Sequence, residues 1–115
     1  MPLLKLQTSV PIPDANRDAL AKELSAIVAE AIGKPERYVM VTLAEGTICM
    51  NAELAPAAFV DVRSIGGLSG NVNRQISERV CAKLQETLSI PPDRTYLNFT
   101  DVPGSSWGFN GSTFG

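Results

Sequence analysis

The chain has 115 residues, a hydrophobic fraction of 44%, a charged fraction of 19% and a formal net charge of −2. That balance fits one ordinary globular domain, residues 1–115, with its own core, and gives no global attraction for nucleic acid or an anionic membrane. Histidine is absent, which removes Ser-His and Cys-His nucleophile pairs together with the commonest metal ligand.

The segment Leu3 to Thr8 alternates, with Leu4 and Leu6 on one side and Lys5 and Gln7 on the other, as in a half-buried strand. "VPIPDAN" breaks the pattern, and Asp14 or Asn16 is the expected helix cap. Leu20, Leu24, Ile27, Val28, Ala31 and Ile32 then form one apolar helical stripe, ended by Gly33 and Pro35. "RYVMVTL" reads as a second strand.

The second half follows the same plan. "AAFVDVRSI" is a strand, "GGLSGN" a loop ending at the expected cap Asn71, and Val72, Ile76, Val80, Leu84 and Leu88 a second helical stripe. "TYLNFTDV" is the last long strand, and the turn "PER" at Pro35–Arg37 recurs half a chain later as "PDR" at Pro92–Arg94. The expected architecture is α/β (α+β): two pseudo-repeated βαβ units, about 1–57 and 58–115, forming a four-stranded sheet with both helices on one face. The other face, expected to carry Leu4, Leu6, Val41 and Leu43, would then be apolar and would drive oligomerisation.

Five motifs, "MP" at the start, "GKP" at 33–35, "SIG" at 64–66, "PDRTYLNF" at 92–99 and "NGSTF" at 110–114, occur in order across the chain. In this the sequence resembles the macrophage migration inhibitory factor (MIF) family of the tautomerase superfamily. The resemblance implies a four-stranded mixed sheet and a homotrimer whose active sites lie at subunit interfaces. It also implies a cofactor-independent, metal-free keto–enol tautomerase acting on phenylpyruvate-like and dopachrome-like compounds, that is, on small aromatic α-keto acids.

Residue by residue, the resemblance makes Pro2 the catalytic base after Met1 is removed, and Lys34 the partner of the substrate carboxylate. Ser64 and Ile65 fall beside the proline, and Tyr96 and Asn98 are lent by a neighbouring subunit. Phe109 stands where the family has a pocket tryptophan, while Trp107 takes a position that is aliphatic in mammalian members. Tyr38, Trp107 and Phe114 are further candidates for the pocket wall. Mammalian members also carry a CxxC motif where this chain has "AAFV" at 57–60, so CxxC thiol oxidoreductase activity is not expected.

These residue types suit the reaction. Moving a proton between carbon and oxygen next to a carbonyl needs a base of near-neutral pKa and a group that tolerates the enolate. A free α-amine ionises at roughly 7.7–8.0, against about 10.4 for lysine, and burial beside a cation lowers it further. The pyrrolidine ring also restricts how the nitrogen can turn.

Other features carry less. Cys49 and Cys81 have no CxxC or zinc spacing and read as reduced thiols. "GGLSGN" lacks both GK[ST] and GxGxxG, so it is not read as a phosphate loop. No secretory n-region and h-region or long apolar run is seen, so the two N-x-S/T triplets at Asn98 and Asn110 read as chance and the expected location is cytoplasmic. The functional alternatives are a MIF-like binding protein acting by protein contact, or another tautomerase-superfamily reaction.

Overall fold

A computed structural model of the chain describes residues 1–115. In chain order the elements are β1 (Pro2–Thr8), α1 (Asp14–Ile32), β2 (Met40–Glu45), β3 (Ala58–Ser64), α2 (Gly70–Leu88), β4 (Thr95–Asp101) and a small hairpin of β5 (Gly108–Phe109) and β6 (Ser112–Thr113). The main sheet has the order β2-β1-β3-β4. Within each half the two strands run parallel, β1 beside β2 and β3 beside β4, while the central pair β1 and β3 is antiparallel. "PER" and "PDR" occupy equivalent places, each contributing to a single 3-10 turn just ahead of the second strand of its half.

Both helices bury the stripes read from the sequence. Leu20, Leu24, Ile27, Val28 and Ile32 of α1 and Ile76, Val80, Leu84 and Leu88 of α2 are buried against the sheet, with Ala31 and Val72 at the margin. Neither expected cap is used. Pro13 holds the N-cap position of α1 without a side-chain bond, and its fixed φ already suits the first turn. The start of that helix is tied instead by Glu45, whose Oε1 accepts from Ile12 N at 3.0 Å and from Arg17 Nη2 at 3.1 Å, while Arg17 also donates to Ile12 O. α2 begins before Asn71: Ser69 is the cap, its Oγ accepting from Val72 N at 3.1 Å.

The sheet face is where the sequence-based expectation fails. Leu4 and Leu6 do share a side, but it is the covered one: they are 0% and 1% exposed and pack with Val60 and Val62 under the helices, with Val41 and Leu43 partly buried beside them. The open face carries the opposite set in three cross-strand rows, Met40–Leu3–Arg63–Thr100, Thr42–Lys5–Asp61–Asn98 and Ala44–Gln7–Phe59–Tyr96. It is of mixed polarity, so apolar area alone does not demand a partner there. Alternation decides which residues share a face; only the helices decide which face is inside.

A second feature lies between β2 and β3. Met50 and Glu53 bridge across a turn with Asn51 and Ala52 both left-handed (φ 57° and 58°). Arg94, from the 3-10 turn before β4, grips this arm by donating to the carbonyls of Met50, Glu53, Ala55 and Pro56 at 2.9–3.1 Å.

Candidate active site

The start of β1, the turn after α1 and the β5–β6 hairpin enclose a cavity of 420 Å³. Pro2 is buried in β1, held in register opposite Ser64 of β3. Tyr38 enters from the 3-10 turn, and Trp107, Gly108, Phe109 and Phe114 come from the hairpin region. The hairpin turns tightly through Asn110 and Gly111, both left-handed (φ 52° and 79°), which is what an Asn-Gly pair of type I′ provides. Tyr38 meets Phe109 edge-on at 6.2 Å, and Phe109 stacks on Phe114 at 5.1 Å with an interplanar angle of 12°. The result is an aromatic wall facing the first residues of β1.

No carboxylate lines the cavity. The α-amine at this end of β1, carried by Met1, is held below its ordinary value of 8.0, first by partial burial and then by the charge of Lys34. While Met1 is attached, the Pro2 nitrogen is a tertiary amide with no basic lone pair; the Met1 amine stands one residue ahead of the amine that its removal would create. Lys34 follows the left-handed Gly33 that closes α1. Its side chain is not part of the cavity lining, but its stem runs near Gly67 of the 64–69 loop. Gly67 has φ +79°, and a Cβ there would stand 2.6 Å from Ile32 Cγ2 and 3.6 Å from Lys34 Cε, so only glycine lets this loop close over the end of α1.

The remaining sequence-derived residues divide. Pro2, Tyr38, Trp107, Phe109 and Phe114 come together at the cavity. Ser64 is fully buried beside Pro2, its Oγ donating to Gly66 O at 2.7 Å, and Ile65 follows it without lining the cavity. Tyr96 and Asn98 are not brought to the site within one chain. Tyr96 is in register with Phe59 and through it with Gln7, five residues along β1 from Pro2. That is about 17 Å along the strands, and two strand spacings add about 10 Å across. Both side chains lie exposed on the open face. Conversely, Leu3, Arg37, Val39, Met40 and Gly108 line the cavity and were not singled out by the sequence. Arg37 was hidden because "PER" reads as turn punctuation; its place three residues past the cation Lys34 and one before the aromatic Tyr38 is the signal that was there to use.

The profile describing Macrophage migration inhibitory factor (MIF) matches residues 1–115, the whole length. The chain belongs to the MIF family. Among curated members, the MIF homolog of Trichuris trichiura is 41% identical over 115 residues, covering 99% of this chain and 100% of the relative. The MIF of Rattus norvegicus is 35% identical with 99% of each covered. Among solved structures, the MIF homologue of Prochlorococcus marinus superposes with a TM-score of 0.93 at 44% identity, covering 98% of this chain and 99% of that one. The MIF-like protein of Entamoeba histolytica superposes with a TM-score of 0.94 at 32% identity, covering 98% of each. The two-helix, four-stranded mixed sheet is therefore the MIF fold of the tautomerase superfamily, and membership supports a tautomerase type of function. No helix is long and apolar enough to cross a membrane.

Proposed function

We propose that this MIF-family chain is a cofactor-independent keto–enol tautomerase of phenylpyruvate-like α-keto acids, with Pro2 as general base once Met1 is removed. The observation that carries the reading is the environment of that residue: Pro2 is buried at an aromatic-walled, carboxylate-free cavity where burial and Lys34 already hold a terminal amine below 8.0. Lowering the pKa of an amine in that setting enlarges its neutral fraction near pH 7, and the neutral form can take a proton from the carbon next to a keto group. Lys34 attracts the substrate carboxylate, and the Tyr38, Phe109 and Phe114 rings hold its aryl group.

In this reading the working form is a homotrimer in which Tyr96 and Asn98 of one copy complete the Pro2 cavity of the next. Their exposure on the open face, at a register that cannot reach the cavity of their own chain, favours that assignment. Asn98 would then hydrogen-bond the carbonyl or enol oxygen as charge develops there. The test is ketonisation of enol-phenylpyruvate, followed by ultraviolet absorbance, on preparations whose N-terminus is defined by intact mass. Turnover that tracks the fraction of chains starting at Pro2 supports the proposal, and turnover indifferent to that fraction overturns it.

A further inference from the structure

We infer that Arg37 is a second anion-binding group of the Pro2 cavity, so that the pocket favours aryl α-keto acids bearing a further anionic group on the ring over the unsubstituted compound. The inference rests on the tautomerase reading for which end of the substrate faces Pro2, and on the following observations for the rest.

Arg37 lines the cavity, and its guanidinium is uncommitted. Arg17, Arg63 and Arg79 are each engaged by carboxylates and Arg94 by four carbonyls. Arg37 makes neither an ion pair nor a hydrogen bond through its side chain; Arg74 shares that status but stands away from the cavity. Five N–H donors and a full charge therefore stand unpaired beside a cavity with no carboxylate in its wall. The group is also positioned: its Cζ lies 4.9 Å above the centre of the Tyr38 ring, a stacking that holds a planar guanidinium without consuming its donors.

Size and direction agree. About 150 Å³ of apolar cavity holds one benzene ring, and the space here is 420 Å³, leaving room for a ring, its keto-acid arm and a further substituent. Lys34 sits at the Pro2 end, where its charge reaches the terminal amine. Arg37 stands against Tyr38, the ring that meets Phe109 in the aromatic wall. A substrate whose carboxylate is drawn toward Lys34 and whose aryl ring lies along that wall presents its ring edge to Arg37. A planar fork there matches a carboxylate or a sulfonate better than an uncharged edge.

Trp107, the single tryptophan, lines the same cavity, so its fluorescence reports occupancy without any turnover. The experiment titrates Met1-free protein with phenylpyruvate and with 4-carboxyphenylpyruvate, and repeats both titrations on Arg37→Gln and Arg37→Lys. The expected result is about fivefold tighter binding of the dicarboxylate by the wild type, the size of a partly exposed charge-assisted contact. That ratio falls to about one in Arg37→Gln, is partly restored in Arg37→Lys, and shrinks with added salt. Equal affinity for the two ligands in the wild type, or an unchanged ratio in Arg37→Gln, overturns the inference. The binding ratio decides it separately from catalysis: a protein that turns over neither compound refutes the tautomerase reading, while a protein that turns over phenylpyruvate but shows no ratio refutes only the role of Arg37.

Discussion

Blocking the nitrogen of Pro2 is the sharpest perturbation of the proposed chemistry. A variant with two extra residues fused ahead of Pro2 keeps every side chain but converts the amine to an amide. The strand should tolerate this, because Pro2 is fixed by pairing with Ser64 and Met1, one step ahead, already lies at the half-exposed rim of the cavity. A positioned general base contributes about 10²–10⁴-fold, so the extension is expected to lower kcat/KM for enol-phenylpyruvate by about 10³-fold, or about 4 kcal/mol of transition-state stabilisation. The urea midpoint should stay within error of the native protein, which separates loss of the base from loss of the fold. The pH profile gives an independent reading. Burial and the Lys34 charge lower the Met1 amine at this end of β1; acting likewise on the amine that Met1 removal exposes, they should bring the midpoint of the rising limb of kcat/KM in Met1-free protein below pH 8.0. Full activity in the extended protein, with its mass verified, would refute the assignment of Pro2 as base.

Three further outcomes follow from other contacts. Equal mixtures of refolded Pro2→Gly and Asn98→Ala chains should regain about a quarter of native activity if sites are shared between copies, since about one interface in four then pairs two intact contributions; no regain places both residues in one chain's site. Arg94→Ala should cost about 2 kcal/mol in urea unfolding and increase amide exchange in the 50–56 arm ahead of the rest of the molecule, because that one guanidinium holds four of its carbonyls. With maleimide near pH 8, exposed Cys49 should label well before Cys81, whose thiol is pushed up by burial; equal rates would mean that the region around Cys81 opens.

Periodicity carried most of the architecture. The stripes of α1 and α2 and the four long strands follow from the spacing of Leu, Ile and Val, because burying a continuous face dominates local energetics. Caps were less legible. Asp14, Asn16 and Asn71 are good capping residue types, but Pro13 holds the cap position of one helix while Glu45, distant in sequence, ties its start through Ile12 and Arg17, and Ser69 starts the other helix earlier. The inside and outside of the sheet were reversed because Leu4 and Leu6 alternate correctly, yet which face the helices cover is set by how the chain crosses over after each strand and not by the strand's own pattern. The cavity was readable only in pieces. Its aromatic residues stood out by type, whereas Arg37 and Met40 belong to it through the path of the chain after α1, which no local pattern encodes.

The order in which the chain is synthesised gives the β5–β6 hairpin a particular standing. Every residue of the buried cluster has been made by Ile90, and the four-stranded sheet is complete by Asp101. The aromatic wall, Trp107 to Phe114, comes afterwards. A product truncated near residue 102 would therefore keep its core and its helices and lack a pocket, so folding and competence are separable along the length of the polypeptide. Fusions at either end meet the same spot, since Pro2 and Phe114 border one cavity; a reporter or affinity handle for this protein is best carried on an exposed loop such as the one at Leu54, away from that cavity.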